Sequence, residues 1–224
     1  MQQLTHKNNF FYLFSSLLVF LFTAALIAQF PSSWGEDILS LVTLSMILIS
    51  IKSLNIEKSW RWAVLVLGFL FFFIIVFIRF FEHQLLVYTI LALLFLYFTG
   101  VFLLAVKHVL FEGDIDENKI IGSLSLYLLI GLIWSVIYLS LLIIDPSSFS
   151  GIEVSNWQEG FSRVAYYSFV TLTTLGYGDI LPTNHIAEFF VYLEAVFGVF
   201  YMAIIVSSLI ALRLDIIQQK RKKR

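Results

Sequence analysis

The sequence predicts an all-α membrane protein with six transmembrane helices. Three observations lead to this prediction: 60% of the 224 residues are hydrophobic, only 13% are charged, and the apolar residues are gathered in long runs. Soluble proteins have about 45–50% apolar and about 25% charged residues. This chain therefore has too little polar surface to be stable in water, which excludes a soluble globular domain.

Six apolar runs have about the length of a helix that crosses a bilayer, which is roughly 20 residues. They lie at residues 10–30, 38–54, 62–78, 85–106, 120–144 and 189–212. The second run allows an alternative, because its strictly apolar part covers only residues 38–51. A run of that length would also suit a buried or re-entrant helix.

The positions of the basic residues favour six spans over five. If all six runs cross, one side carries 12 of the 14 Lys and Arg residues, in segments 1–9, 52–61, 107–119 and 213–224. Only Arg79 and Arg163 fall on the other side. Because basic loops stay in the cytoplasm, we expect a cell-membrane protein with both termini cytoplasmic and residues 145–188 outside.

Composition also excludes several kinds of site. There is no cysteine, so disulfides, thiolate nucleophiles and zinc–thiolate centres are impossible. The four histidines, at positions 6, 83, 108 and 185, are too far apart for two of them to share one helical turn. The net charge of -1 offers no basic surface for nucleic acid. We therefore expect no catalytic residue, no organic cofactor and no nucleic-acid partner.

The external segment between the fifth and sixth runs is unusual. It contains a shorter apolar stretch, predicted as a helix over residues 162–173 with Ser162 as its N-cap, that enters the membrane only part way. The sequence T-L-G-Y-G-D follows at residues 174–179. Irregular backbone at membrane depth is tolerated only where it is buried in protein or lines a water-filled path. These carbonyl groups are therefore candidates to replace the hydration shell of a cation.

The spacing of the two glycines is compatible with carbonyl groups that coordinate a cation. Gly176 and Gly178 permit positive φ at alternate positions, so that successive carbonyls can face one axis, and Thr174 adds a hydroxyl at the inner end. We expect Leu175 and Tyr177 to point away and pack against the short helix. The C-terminus of that helix would place partial negative charge towards the axis. One chain supplies only one wall of such a path, which predicts a cyclic homo-oligomer.

The stretch TLTTLGYGD, residues 171–179, is similar to the signature of tetrameric potassium channels. The whole chain more loosely resembles the compact bacterial six-transmembrane members, which are voltage-gated-like. The resemblance implies a homotetramer that passes K⁺ through a selectivity filter. Its filter residues would be Thr174, Leu175, Gly176, Tyr177 and Gly178, with K⁺ held at the first four.

The resemblance also assigns supporting roles. Asp179 would lie at the outer mouth, and Thr173 would support the filter. Tyr166 and Tyr167 occupy positions from which family members hydrogen-bond to the filter; plain packing is the alternative for both. At Leu175 the family more often has valine.

Four segments follow from this interpretation. They are a four-helix voltage-sensor-like domain at 1–106, a cytoplasmic linker at 107–119, a pore domain at 120–214 and a basic tail at 215–224. The fourth run has none of the arginines by which such domains sense voltage, so we expect little voltage dependence. The tail would either bind anionic membrane lipid or only fix the topology.

The sixth run carries candidates for gating. Gly198 is either a hinge or a close-packing glycine. An apolar stripe would line the inner cavity or face lipid; it consists of Val199, Met202, Val206 and Ile210. Glu194 is a carboxylate well inside a span, where it would act as a proton sensor or form a structural hydrogen bond with Ser168 or Thr171. The predicted function is a passive, potassium-selective channel, with a non-conducting partner subunit as the alternative.

Overall fold

A computed structural model of the chain describes residues 9–30, 34–54, 58–78, 84–111, 117–152, 157–207 and 210–211. The basic tail at 215–224 and Arg79 lie outside these residues. Almost all of the described chain is helical, as the sequence predicts. The helices are α1 (Phe10–Gln29), α2 (Gly35–Ser53), α3 (Lys58–Ile78), α4 (Gln84–Val106), α5 (Glu117–Ile144), α6 (Trp157–Leu172) and α7 (His185–Phe200).

Two helices continue as π-helical turns, α4 over Lys107–Phe111 and α7 over Tyr201–Val206. The helix α6 begins at Trp157, ahead of the predicted start at residue 162. Ser162 therefore lies inside the helix, and its predicted role as the N-cap is wrong. The polar residues that precede the apolar stretch concealed this earlier start.

In the described chain, five helical stretches are long and apolar enough to cross a membrane: Phe10–Gln29, Trp60–Ile78, Gln84–Phe111, Asn118–Ile144 and His185–Ile204. The helix α2 is not among these five. It carries three charged residues, two acidic ones in its first turn and Lys52 in its last turn, and charged residues are unfavourable inside a bilayer.

The helices α1 and α2 form an antiparallel pair. The start of α1 meets the end of α2, where the Asn9 N–H donates to the Ser53 carbonyl (3.1 Å) and the Ser53 hydroxyl donates to the Asn9 carbonyl (2.7 Å). At the same end, the Phe10 N–H donates to Asn118 Oδ1 of α5 (2.9 Å). The first turn of α1 is therefore joined to both α2 and α5.

The helix α1 also reaches α6 of the same chain. Its buried residues Leu13, Leu17 and Phe20 lie at helical spacing and form one face. The Phe20 ring lies 6.1 Å from the ring of Phe98 on α4 and 5.5 Å from the ring of Phe161 on α6, measured between centroids. The four-helix unit is thus packed directly against the short helix of its own chain.

A small outer ladder joins the segments on either side of α6. Strand β1 (Phe149–Ser150) pairs antiparallel with β2 (Leu181–Pro182). Next to it, Asn184 caps α7 by accepting from the Ala187 N–H (2.9 Å), and its amide group donates to Asp145 at the end of α5 (3.2 Å). Hydrogen bonds from the Ser147 hydroxyl and N–H hold the pKa of Asp145 below its ordinary value.

The contact of Phe20 with Phe161 leads to a prediction about stability. Replacing Phe20 by Ala should lower the thermal stability of the purified protein, because it leaves a cavity between α1, α4 and α6. The cost should be below the about 3–5 kcal/mol of a soluble core, since lipid is also an apolar environment. Thermal unfolding in lipid nanodiscs measures it. Phe22→Ala is the matched control, because Phe22 is on the same helix but 65% exposed; equal losses in both variants would contradict the packing.

Candidate functional site

One face of α6 is buried in the protein. Phe161, Val164, Ser168 and Leu172 recur at helical spacing, and each is at most 1% exposed. This face packs against α5, α1 and α7. The helix is therefore held from three sides, and the chain that leaves its C-terminus starts from a fixed point.

The segment after α6, residues 173–178, is here called the glycine loop. Its N–H groups turn back and donate to the carbonyls of the last helical turn. The bonds run from Thr173 to Phe169 (3.1 Å), from Thr174 to Thr171 (2.9 Å), and from Leu175 and Gly176 to Val170 (2.9 and 3.3 Å). The N–H groups of residues 173–176 are therefore bonded inside the protein, and these bonds do not use the loop carbonyls, which can face a ligand.

The backbone of the glycine loop alternates in handedness. Gly176 has φ +54 and Gly178 has φ +77, as their spacing predicted, and Thr174 also has a positive φ of 58. In an extended strand, successive carbonyls point to opposite sides. Left-handed residues at every second position remove this alternation, so the carbonyls can be presented along one side. Thr174 was not predicted to be left-handed, because threonine rarely adopts that conformation.

The two large side chains of the glycine loop are exposed to solvent in the single chain. Leu175 is 55% exposed and Tyr177 is 66% exposed, and the predicted packing of both against α6 is not seen. Among the described residues, no part of the chain covers these two side chains fully.

The two tyrosines of α6 have different surroundings. The Tyr166 hydroxyl lies close to the Asp179 carboxylate, next to the glycine loop. Tyr167 instead packs in the core, with its ring 5.3 Å from Tyr138 and 5.5 Å from Phe149. The Thr173 hydroxyl donates back to the Phe169 carbonyl (2.6 Å).

The last carbonyl of α6 is held by two other helices. The Tyr127 hydroxyl of α5 donates to the Leu172 carbonyl (3.2 Å). On the other side, Gly198 of α7 packs so closely that a Cβ there would overlap the same carbonyl. Gly198 is thus closely packed, and its predicted role as a hinge stays a prediction. Tyr127 was missed, although a tyrosine in an apolar run signals that its hydroxyl needs a partner.

After Gly198, α7 departs from regular α-helical geometry. The π-helical turn starts at Tyr201, whose hydroxyl donates to the Ser123 carbonyl of α5. π-helical turns mark local departures from the α-helix and often accompany functional sites. In the predicted apolar stripe, Val199 and Met202 are each 53% exposed and Ile210 is 57% exposed, while the side chain of Val206 lies outside the described residues.

Glu194 is fully buried at the junction of α5, α6 and α7. Its Oε2 lies 2.5 Å from the Tyr138 hydroxyl and its Oε1 lies 2.5 Å from the Ser168 hydroxyl. Ser168 was one of the two predicted partners. The other predicted partner, Thr171, is not one of the two residues whose hydroxyls bond to the Glu194 carboxyl oxygens. Tyr138 was missed because it is 56 residues away in the chain.

Within the described residues, no group of three or more His, Cys, Asp or Glu could hold a metal ion. The donors that remain at the site are the loop carbonyls and the Thr174 hydroxyl. Such neutral oxygen donors suit a weakly held monovalent cation, since tighter sites for divalent cations usually include carboxylates.

The contact at Gly198 predicts that Gly198→Ala lowers thermal stability by about 1–3 kcal/mol, because the added methyl group pushes α7 away from α6. Gly100→Ala is the matched control, since its Cβ would lie at an ordinary 4.0 Å from Trp60. In that variant the better helix propensity of alanine should raise stability slightly. Thermal unfolding compares the two; a Gly198→Ala protein as stable as Gly100→Ala would contradict the close contact.

Residues 126–213 match a family model described as "Ion channel". The matched segment contains α6, the glycine loop, α7 and most of α5. No curated protein and no solved structure matches the chain. The family match supports passive ion transport by the matched residues. Together with the apolar helices, it supports a multi-pass membrane protein whose residues 126–213 are similar to an ion-channel domain.

Proposed function

We propose that the protein is a potassium-selective channel that conducts K⁺ passively through the glycine loop. The observation that carries this proposal is the loop backbone: φ is positive at residues 174, 176 and 178, and the N–H groups of residues 173–176 are bonded to α6. This arrangement frees carbonyl oxygens for an ion and fixes their spacing through the helix behind them.

In the proposed mechanism, a K⁺ ion exchanges its hydration water for oxygens from Thr174, Leu175, Gly176 and Tyr177. Carbonyl dipoles compensate the lost hydration energy of the ion without holding it as a carboxylate would. Gly178 keeps the carbonyls on one side, and Asp179, which lies close to Tyr166, attracts cations to the outer mouth. No bond is made or broken, so the ion moves down its electrochemical gradient.

The pore is proposed to form in a homotetramer. In support, the single chain leaves Leu175 and Tyr177 exposed, and ion channels of this kind are generally oligomeric. The helix α7 also exposes a broad apolar surface, with Phe189, Tyr192, Val196, Phe197 and Phe200 each at least 45% exposed. Neighbouring chains around a four-fold axis would cover the loop side chains and part of this surface.

The proposed topology has six spans. The helix α2 has 19 residues, which gives about 28 Å, and it runs antiparallel to α1 from one end to the other. Because α1 has the length and hydropathy of a span, its partner would cross the same layer. Both termini would then be cytoplasmic, with the basic tail placed to meet anionic lipid at the inner surface.

The selectivity proposal is tested by measuring reversal potentials of the purified protein in lipid bilayers under opposed K⁺ and Na⁺ gradients, with Ba²⁺ as the blocker. We expect a reversal near the K⁺ equilibrium potential and block by Ba²⁺. Currents that do not distinguish K⁺ from Na⁺ would contradict the role of the glycine loop.

A loop variant should weaken this selectivity. Gly178→Ala places a side chain at a φ of 77, which costs about 1–2 kcal/mol in a left-handed conformation. If the substitution destabilises the conducting state by this amount relative to the non-conducting state, K⁺ flux should fall about 5–30-fold. Gly100→Ala should conduct normally. Unchanged flux and selectivity in Gly178→Ala would contradict a filter backbone at this position.

Voltage should have little effect on opening. The helix α4 contains no Lys or Arg, so no charge on it moves through the membrane field. Single-channel recording over a range of potentials should therefore show an open probability that is nearly constant. A sigmoid activation curve equivalent to several gating charges would contradict this prediction.

A further inference from the structure

Glu194 is the centre of a buried polar contact between three helices. It lies on α7, Tyr138 lies on α5 and Ser168 lies on α6. All three residues are fully buried or nearly so, and Ser168 Oγ also lies 2.9 Å from the Gly131 carbonyl of α5. The contact thus joins every helix of the matched channel domain at one point behind the glycine loop.

The Gly131 carbonyl also accepts from the Ser135 hydroxyl (2.6 Å), which supplies the hydrogen of that pair itself. The contact contains three further close oxygen pairs. Tyr138 Oη faces Glu194 Oε2 (2.5 Å), Ser168 Oγ faces Glu194 Oε1 (2.5 Å), and Ser168 Oγ faces the Gly131 carbonyl (2.9 Å). Each pair needs one hydrogen between its two oxygens. The Tyr138 and Ser168 hydroxyls supply only two, because a hydroxyl has a single O–H donor.

The third hydrogen must come from Glu194. With a protonated carboxyl, Glu194 donates to Ser168, Ser168 donates to the Gly131 carbonyl, and Tyr138 donates to Glu194 Oε2. All three pairs are then satisfied. With an ionised carboxylate, the Ser168 hydrogen can serve only one of its two neighbours. The other pair would place two lone pairs against each other in a buried site, which is costly.

The titratable groups around Glu194 support the neutral form. Those close enough to interact with Glu194 are Tyr127 and Tyr138 from α5 and Tyr167 from α6. All three are phenols, and none of them can carry the positive charge that would compensate a buried carboxylate. A lone charge in this place would therefore be unfavourable.

The position of Ser168 links this contact to the glycine loop. The next three residues, Phe169, Val170 and Thr171, carry the carbonyls that accept the N–H groups of the loop. A shift of α6 at Ser168 would therefore displace the carbonyls on which the loop is held. One turn of α6, from Ser168 to Leu172, separates the contact with Glu194 from the start of the glycine loop.

We propose that Glu194 is a positioning residue in its protonated form, and that loss of its proton at alkaline pH loosens α6 and stops conduction. The effect on conduction rests on the proposed channel function, whereas the protonation of Glu194 does not. The protein would therefore be conducting at neutral pH and silenced as the pH rises through the ionisation of this carboxyl group.

The test combines infrared spectroscopy with K⁺ flux on the same reconstituted protein. The difference spectrum between wild type and Glu194→Gln should contain the carbonyl band of a protonated carboxylic acid at neutral pH, and this band should vanish at alkaline pH. Wild-type K⁺ flux should fall at least about fivefold over the same pH interval. Glu194→Gln, whose amide can repeat the hydrogen bonds of the acid, should conduct without this pH dependence.

Glu188→Gln is the matched control, because it changes an exposed carboxylate on the same helix. It should keep the wild-type pH dependence. If Glu194→Gln fails to assemble, Tyr138→Phe provides the second test. It removes a hydrogen bond that stabilises the carboxylate, so the fall in flux should move to higher pH.

The outcomes separate the two proposals. A carboxylate at neutral pH, or a wild-type flux that does not change with pH, overturns the inference about Glu194. An unshifted pH profile in Tyr138→Phe overturns it as well. A protein with the acid band at neutral pH that conducts K⁺ under no condition contradicts the proposed channel function but leaves the protonation of Glu194 standing.

Discussion

The last turn of α6 is the constraint on which the rest of the structure depends. The last four carbonyls of a helix have no partner within it. Here each of them has one: those of Phe169, Val170 and Thr171 accept from the glycine loop, and that of Leu172 accepts from Tyr127. The same bonds satisfy the carbonyl groups at the end of the helix and orient the loop backbone. The N–H groups of residues 173–176 therefore have partners inside the protein, which a backbone buried away from water requires.

The surrounding elements keep α6 in place. Tyr127 and Ser168 connect it to α5, the Gly198 contact and Glu194 connect it to α7, and Phe161 meets α1. On the outer side, the bonds from Asn184 to Asp145 and Ser148 tie the start of α7 to the end of α5. Because Phe161 packs against α1, a movement of the helices α1 to α4 would change the contacts of α6 in the same chain.

The sequence was informative where local chemistry decides the structure. Apolar runs predicted where the helices lie, and Gly176 and Gly178 predicted the left-handed positions of the loop. It was uninformative about long-range partners. The helices α4 and α5 are apolar on all sides, so no periodic pattern tells which face is buried. For this reason Tyr127 and Tyr138 were not predicted as partners of Leu172 and Glu194.

Thr174 and the loop side chains illustrate two other limits. The left-handed backbone of Thr174 is imposed by its N–H bond to Thr171 and by its neighbours, and its residue type does not favour it. The predicted packing of Leu175 and Tyr177 assumed cover that the single chain does not supply. Assembly decides their surroundings, and a single sequence carries only indirect information about assembly.

The central claim is that the loop carbonyls of several chains are the ligands of K⁺. A high-resolution structure of the purified, membrane-embedded protein, determined once in K⁺ and once in Na⁺, tests it most directly. In K⁺ we expect four chains around one axis, with ion density between the carbonyls of residues 174–177, and a changed pattern of density in Na⁺. Loop carbonyls that turn away from a common axis, or an axis without ions in K⁺, would contradict the account.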